Sequence, residues 1–350
     1  MDSEKRLLVI GGGKSIHTFN LINLIKDYFS SVMLVTDYKN KDYSYIEQKQ
    51  INYSLKNPSH IITSTLQIRI IIKQYNPSFI IILQVDTGAF LTLLAKKKNI
   101  PSLIIAMGSD ILLNPQKGSI HRAMIRFVLR RSKYYNTDAK CVADKMKELI
   151  GKNIDVHLAN FGFNNNIQVA VKQKIIYSNR LQKPLYRIEN IIRSFAIFAH
   201  KNPDWTLVVA ASGEEEHLNE VIKTLHLEDK VQMVGWLDSQ MNNYYYSIAT
   251  IWVSIPMSDS TPISMIEAMR AECVPIVPDL PAMHEWITDG VNGVIVKDLG
   301  GDFFSQVFNL DFQKAIKINR DIAMTYGSKE SNQKKFYSIF DMEFNPQSVQ

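Results

Sequence analysis

Short apolar runs alternate with amphipathic stretches along most of this 350-residue chain, and this alternation restricts the possible folds more than any other feature. Apolar runs of strand length lie at 7–10, 32–35, 79–83 and 103–106, and helical spacing follows at 18–28 and 87–98. Strands that alternate with helices predict a parallel sheet with helices on both faces. We therefore expect an α/β protein.

The alternation is interrupted at the asparagine-rich segment 160–174 and then resumes. Its second part predicts helices at 186–199 and from 215 onward, and strands at 174–177, 207–211, 231–234, 251–254 and 274–277. This organisation predicts two doubly wound Rossmann-like domains, 1–165 and 172–328, joined by a linker. The tail 329–350 has helical spacing, and we expect it to pack back toward the N-terminal domain.

Composition limits the partners. Lys and Arg (40) outnumber Asp and Glu (34), which gives a formal net charge of +6. This mild excess of positive charge fits an anionic small molecule or an anionic membrane surface as partner, and without a nucleic-acid motif it gives no support to nucleic-acid binding.

Cys141 and Cys273 cannot form a disulfide framework, so we expect a reducing, cytoplasmic compartment. The longest apolar runs are far shorter than the ~18 residues of a membrane-spanning helix. No Asp-x-Asp pair and no His/Cys spacing indicates a metal site.

Three glycines separate the first predicted strand from the first predicted helix in the segment LLVIGGGKSIHTFNLI, residues 7–22. A P-loop requires a glycine at the position of Leu8, so that interpretation fails. Gly11 and Gly13 fit the dinucleotide fingerprint, but Ile16 replaces its third glycine. Asp37 stands where a ribose-binding acid would lie. A dinucleotide site, a tight turn that only needs small residues, and a glycine turn facing a ligand all stay open.

The segment 254–296 carries the most chemical information. Thr261 and Pro262 predict the start of a helix, because threonine is a good N-cap and proline suits the first helical position. The amides and the positive dipole end of such a helix form an anion site. Asp259 precedes this helix and Glu267 lies within it, where carboxylates can accept hydrogen bonds from sugar hydroxyls. The alternative is that Asp259 only caps a loop and that Glu267 is a solvated helix residue.

Asp259 and Glu267 are eight residues apart and are followed by EAM, VPIVPD and, after Glu285, TDGVNG. This order resembles the nucleotide-sugar signature of retaining GT-B glycosyltransferases of family four, with Asp in place of the first Glu. The segments NRLQKPLYRIENII (179–192), VVAASGEEEHL (208–218), VQMVGWL (231–237), AMGSDIL (106–112) and NFGFN (160–164) resemble further family segments. The resemblance implies the GT-B fold, which has two Rossmann-like domains with a cleft between them and a C-terminal helix that crosses back.

The resemblance also implies a donor site for a nucleoside-diphosphate sugar, with no other cofactor and no metal. Its catalytic residues would be Glu267 for the ribose hydroxyls, Asp259 for the donor sugar and Arg180 for the diphosphate. Leu185 replaces a lysine that the family often has, and Lys183 lies nearby as a substitute. The other implied donor-binding positions are Gly213, Ser260, Thr261, Pro262 and Ile263. The implied acceptor and phosphate loop consists of Gly12, Gly13, His17, Ser109 and Asp110.

The implied reaction moves a sugar to a glycan or glycolipid hydroxyl with retention, in the assembly of surface polysaccharide, lipopolysaccharide or lipid-linked glycan. The basic amphipathic segment 117–135 fits either a helix on anionic lipid, at the inner face of the plasma membrane, or a domain helix with a solvated face. Three alternatives stay open: a nicotinamide-dependent oxidoreductase that uses the glycine loop, a sugar-nucleotide epimerase or phosphorylase, and a catalytically degenerate partner subunit. The last would fit the departures from the family pattern at Met107, Leu185 and Asp259.

Overall fold

The computed structural model describes residues 4–163 and 167–349. The chain forms two compact units, the first comprising Met1–Phe161 and Lys329–Gln350, the second Gly162–Ser328. The predicted end of the first domain, residue 165, lies outside the described residues.

The first unit is built on a parallel sheet of seven strands in the order β3-β2-β1-β4-β5-β6-β7. β4 in the middle is FIIIL and is buried on both faces, as expected where helices cover both sides of a sheet. The strands are β1 (Arg6–Ile10), β2 (Ser31–Thr36), β3 (Glu47–Gln50), β4 (Phe79–Leu83), β5 (Ser102–Ile105), β6 (Tyr134–Thr137) and β7 (His157–Leu158).

Six helices connect these strands, and polar side chains define where some of them begin. The Asp86 carboxylate accepts a hydrogen bond from the Ala89 amide at the start of α3, and Asn57 accepts one from Ser59 at the start of α2. The helices are α1 (Ile16–Ile25), α2 (Pro58–Tyr75), α3 (Thr87–Ala95), α4 (Ser109–Leu112), α5 (Ser119–Arg131) and α6 (Lys140–Ile150).

The second unit repeats the arrangement with six parallel strands in the order β10-β9-β8-β11-β12-β13. The strands are β8 (Gln173–Ser178), β9 (Thr206–Ala210), β10 (Val231–Gly235), β11 (Ala249–Val253), β12 (Val274–Pro278) and β13 (Val294–Val296). The helices are α7 (Ile188–Lys201), α8 (Glu215–Thr224), α9 (Ser239–Ile248), α10 (Ile263–Arg270) and α11 (Phe312–Gly327). Two doubly wound parallel sheets confirm the α/β class that the sequence predicted.

Short 3-10 helices complete the connections. They lie at Lys26–Tyr28, Lys41–Tyr43, Asn114–Lys117, Pro184–Tyr186, Met283–Glu285, Ser305–Asn309 and Pro346–Val349. Among the described residues, no helix has both the length and the apolar character needed to cross a membrane.

The last helix, α12 (Lys329–Phe344), packs on the first unit. Phe336, Ile339 and Phe340 are fully buried in the core of that unit. The ring of Phe340 lies 5.0 Å from Phe29 and 5.4 Å from Phe79, measured between centroids. The aromatic side chains of α12 therefore complete the core formed by the first strands and helices of the chain.

We expect Phe340→Ala to lower the free energy of unfolding by about 3 to 5 kcal/mol, the cost of removing a phenyl group from a closed core. The matched control is Ile120→Ala, because Ile120 is 82% exposed and its truncation should change stability by less than about 0.5 kcal/mol. Chemical denaturation of both variants measures the difference. Equal unfolding free energies would contradict the packing of α12 in this core.

Candidate functional site

The residues expected to bind the donor lie at the carboxyl edge of the second sheet. Arg180 follows β8 by two residues, and Asp259 lies in the connection from β11 to α10. Since β8 and β11 are hydrogen-bonded neighbours in a parallel sheet, their carboxyl ends bring these two connections together. Ligands of open α/β sheets bind at this edge.

Arg180 joins the two connections by its guanidinium. Its Nη2 lies 2.7 Å from Asp259 Oδ2, and its Nη1 donates to Ser264 Oγ at 3.0 Å. The guanidinium also lies over the Tyr186 ring, 4.6 Å from the centroid. Only 14% of the Arg180 side chain and 18% of the Asp259 side chain is exposed. The sequence predicted that Arg180 and Asp259 belong to one site. Their partners Ser264 and Tyr186 were not predicted, because no sequence signal identifies them.

Burial and the neighbouring positive charges act in opposite directions on an acid in this cluster. Burial raises the pKa of Asp259 above its usual value, and the attraction of Arg180 and the hydrogen bond from the Ser260 amide only partly oppose that effect. Arg180 contacts Ser264 in the first turn of α10, which places a cation at the positive end of a helix dipole. An anion bound there would interact favourably with both the guanidinium and the helix.

The start of α10 differs from the prediction. The helix begins at Ile263, and Thr261 is not its N-cap; the residue in that position is Pro262. The Thr261 hydroxyl instead accepts a hydrogen bond from Trp286 Nε1 at 3.0 Å, and the Ser260 amide donates to Asp259 Oδ1 at 3.0 Å. Pro262 carries no N–H and so cannot donate to a phosphate. Helix geometry leaves the Ile263 and Ser264 amides without intrahelical acceptors, whereas the Met265 amide donates to the Pro262 carbonyl at 3.0 Å.

Glu267 lies one turn into α10 and is not simply solvated. Its Oε2 is 3.2 Å from the hydroxyl of Tyr246, which is fully buried. Glu267 itself is only partly exposed. The carboxylate is therefore held on the inner side of the helix, toward the sheet edge that carries Arg180.

The loop after β9, at Gly213, approaches the loop after β8, at Gln182, next to Arg180 at the carboxyl edge of the second sheet. A Cβ added to Gly213 would lie 2.0 Å from the Gln182 carbonyl oxygen, so only glycine fits. The Glu214 amide donates to that same carbonyl at 2.8 Å, and Gln182 Nε2 donates to the Ala211 carbonyl at 2.7 Å. Gly213 thereby fixes the loop that follows Arg180. Lys183 lies in this loop with an exposed side chain.

In the first unit, the glycine loop after β1 is closed by the end of β2. The Gly13 amide donates to Asp37 Oδ1 at 3.0 Å, and Asn40 Nδ2 donates to the Gly13 carbonyl at 3.1 Å. A Cβ on Gly13 would lie 1.6 Å from the Tyr38 carbonyl oxygen. These contacts favour the interpretation that the turn needs small residues for packing. Gly12 is less crowded, and its carbonyl accepts from Thr18 Oγ1 at 2.9 Å.

The other residues expected on the acceptor side are spread over this edge of the first unit. His17 is exposed, with its ring 5.9 Å from that of Phe161, and Ser109 is exposed at the start of α4. Asp110 is fully buried: its carboxylate accepts from the Val85 amide at 2.7 Å and from the Met107 amide at 3.0 Å. Burial raises the pKa of Asp110 to about 6. In this structure Asp110 holds together the loops that follow β4 and β5.

Across residues 4–163 and 167–349, no group of three or more His, Cys, Asp or Glu side chains is placed to hold a metal ion.

Both halves of the chain match known families. Residues 164–299 match the family described as glycosyl transferases group 1, and residues 6–138 match the family described as glycosyl transferase 4-like. An uncharacterized glycosyltransferase of Haemophilus influenzae is 24% identical over 291 residues, which cover 76% of this chain and 76% of that protein. The GDP-mannose:cellobiosyl-diphosphopolyprenol alpha-mannosyltransferase of Xanthomonas campestris is 32% identical over 101 residues, or 27% of this chain and 26% of that protein.

Solved structures share the fold at low sequence identity. HepE of Anabaena, crystallised with UDP and glucose, superposes with a TM-score of 0.78 at 13% identity, over 97% of this chain and 100% of that one. Sucrose-phosphate synthase of Thermosynechococcus elongatus gives a TM-score of 0.80 at 12% identity, over 97% of this chain and 99% of that one.

We expect Gly13→Ala to destabilise the first unit, because its methyl group would collide with the Tyr38 carbonyl, and such overpacking costs about 1 to 3 kcal/mol or more. Gly12→Ala is the matched control: its methyl group would meet Ser15 Cβ at an ordinary 3.6 Å. Thermal unfolding of both variants gives the comparison. A Gly13→Ala protein as stable as Gly12→Ala would show that the loop is not closed as described.

Proposed function

Because this chain is a group 1 glycosyltransferase with the GT-B fold, we propose that it moves a sugar from a nucleoside diphosphate to a hydroxyl acceptor with retention of configuration. The observation that carries the proposal is the position of Arg180 at the first turn of α10, in contact with Asp259 and Ser264. There a diphosphate would meet a guanidinium and helix amides together.

A comparison with α8 supports the choice of this helix end. Glu214 to Glu216 occupy the N-cap and first turn of α8, and their charges complement the dipole and disfavour a second anion. The first turn of α10 contains no acidic residue. Of these two helix ends at the same sheet edge, α10 is therefore the one suited to a diphosphate.

In the proposed reaction, charge develops on the diphosphate as the bond between the anomeric carbon and the phosphate oxygen breaks. Arg180 and the amides at the start of α10 stabilise that charge. Asp259, released from Arg180 by the incoming phosphate, accepts hydrogen bonds from hydroxyls of the donor sugar, and Glu267 binds the ribose. The acceptor oxygen attacks the anomeric carbon on the face that the phosphate leaves, and its proton passes to the departing phosphate oxygen.

The named relatives support a nucleoside-diphosphate sugar as the donor class. HepE was crystallised with UDP and glucose, and the Xanthomonas enzyme is named for GDP-mannose and a diphosphopolyprenol-linked acceptor. For this chain we propose the shared class, a sugar on a nucleoside diphosphate, and an acceptor used in building surface polysaccharide, lipopolysaccharide or lipid-linked glycan.

The alternatives have less support. In a nicotinamide-dependent oxidoreductase, Asp37 would bind a ribose; here its carboxylate accepts from Gly13 and closes the loop. An epimerase or a phosphorylase differs in its product, and a degenerate partner subunit forms none. Analysis of the products formed from a sugar nucleotide and an acceptor distinguishes these possibilities from transfer.

The basic helix α5 contributes to a second proposal. Val128, on its inner side, is fully buried. Arg126 Nε donates to the Leu149 carbonyl at 2.8 Å, and Arg130 Nη2 donates to the Ile150 carbonyl at 3.3 Å. These two arginines therefore neutralise the negative end of α6, which is a structural role.

We propose that the rest of this face binds an anionic membrane on the cytoplasmic side. Lys117, Arg122 and Arg131 are exposed, and so is Ile120, which belongs to α5 together with Arg122 and Arg131. Since α2 packs on α3 and α3 on α5, the three helices share one face of the first sheet. On this face α2 exposes an apolar ridge formed by Ile62, Leu66 and Ile70. Apolar side chains beside basic ones suit an anionic lipid surface.

For the donor site, Arg180→Ala should weaken binding of a nucleoside-diphosphate sugar about 10- to 100-fold, because charged hydrogen bonds contribute about 1.5 to 3 kcal/mol. Glu267→Ala should also weaken it. Arg193→Ala is the matched control, since Arg193 is an exposed arginine of α7 that pairs with Glu189. A panel of UDP, GDP, ADP and dTDP sugars is first ranked by thermal stabilisation of the wild type, and the best ligand is then titrated. Unchanged affinity in Arg180→Ala and Glu267→Ala would refute the assignment.

For the membrane surface, Arg122→Glu combined with Arg131→Glu should weaken binding to phosphatidylglycerol vesicles at least about tenfold, since each basic residue near the surface contributes about 1 kcal/mol. The control carries the same charge reversal at Lys201 and Lys223, exposed residues of the second unit. Co-sedimentation at low and high salt measures the effect. Equal binding of both double variants, or no salt dependence in the wild type, would contradict the proposal.

A further inference from the structure

The hydroxyl of Tyr246 lies where three elements of the proposed donor site meet. It is 3.0 Å from the Ser264 carbonyl and 3.2 Å from Glu267 Oε2, both on α10, and it accepts from Asn179 Nδ2 at 2.8 Å. Asn179 directly precedes Arg180 in the sequence. One buried phenol thus connects the residue beside Arg180 with the helix that carries Glu267.

The surroundings hold this phenol in place. Tyr246 is fully buried on α9, and its ring packs edge-on against Tyr177 with centroids 5.4 Å apart. Asn179 Oδ1 accepts from Trp252 Nε1 at 2.9 Å, so the side chain that orients the phenol is itself anchored on β11. Residues of the segment after β8, of α9, of β11 and of α10 form a continuous hydrogen-bonded network, and such networks fix side-chain positions when their members are satisfied.

The phenol acts as a donor toward α10. Burial and the neighbouring Glu267 raise the pKa of Tyr246, so it keeps its proton at neutral pH. With the Asn179 amide donating to its oxygen, the phenol shares its single proton between the Ser264 carbonyl oxygen at 3.0 Å and Glu267 Oε2 at 3.2 Å. The contact to Glu267 Oε2, at 3.2 Å, is longer than the usual O–H···O bond of about 2.5 to 3.0 Å, but its acceptor is a carboxylate, and it holds the Glu267 side chain beside the phenol.

We propose that Tyr246 is a positioning residue of the donor site, which acts through Glu267 and through the first turn of α10. This inference rests on the proposed function. A carboxylate that is already oriented loses less freedom when it binds ribose hydroxyls, so the affinity for the nucleotide should depend on the Tyr246 hydroxyl.

The test is a double-mutant cycle read out by the dissociation constants of UDP and GDP. Tyr246→Phe removes one hydroxyl and keeps the buried ring; Tyr244→Phe, at a 50% exposed position on the same helix, is the matched control. Tyr246→Phe should weaken nucleotide binding about tenfold with Glu267 present, and less than about twofold in a Glu267→Ala background. Asn179→Ala, which removes the group that orients the phenol, should show the same dependence on Glu267 and serves if Tyr246→Phe does not fold.

The outcomes separate the two proposals. If Glu267→Ala binds UDP and GDP as the wild type does, the donor site itself is wrong and the inference fails with it. If Glu267→Ala binds weakly but a folded Tyr246→Phe binds as tightly as Tyr244→Phe, only the positioning role is wrong. An equal loss with and without Glu267, for Tyr246→Phe or for Asn179→Ala, would assign the network to general structural support and overturn the proposal.

Discussion

Arg180 places a positive charge at the amino end of α10, and the side chains around it at the carboxyl edge of the second sheet balance that charge. A cation at the positive end of a helix dipole is unfavourable by itself. Here Asp259 supplies one negative charge at 2.7 Å, and Ser264 and the ring of Tyr186 fix the guanidinium in position. Burial raises the pKa of Asp259 even beside Arg180, so this carboxylate carries its charge at a cost that the guanidinium offsets only in part.

Two glycines show how the same loop type serves different purposes in the two units. Gly213 allows the loop after β9 to approach the Gln182 carbonyl, and this contact holds the segment that carries Arg180. Gly13 allows the loop after β1 to approach the Tyr38 carbonyl, and Asp37 then occupies its amide. A sequence pattern of glycines after a strand therefore indicates a close approach of backbone, but not whether the partner is a ligand or another loop.

The sequence predicts the fold well where burial dictates composition. The segment 79–83 is uniformly apolar because β4 is covered on both faces, and the structure has a strand with those bounds. β3, with the sequence EQKQ, was not predicted: it is an edge strand with mostly exposed side chains, so its residues carry no apolar signal. The start of α10 was predicted one residue early. Thr261 does not cap the helix, although its type favours that position, because its hydroxyl accepts a hydrogen bond from Trp286 instead.

The candidate site also contains residues that the sequence predicted and residues that it did not. Motif order brought Arg180, Asp259 and Glu267 together in the prediction, and the structure places the guanidinium against Asp259. Ser264 and Tyr246 were not predicted, because their roles depend on contacts with residues 84 and 67 positions away along the chain.

The most direct test of the account is a crystal structure of the protein with a bound nucleoside diphosphate. The account predicts phosphate oxygens on the Arg180 guanidinium and at the amides that open α10, with Asp259 turned from the guanidinium toward the donor sugar's position. A diphosphate bound elsewhere, with Arg180 still bonded to Asp259 and Ser264, would contradict it.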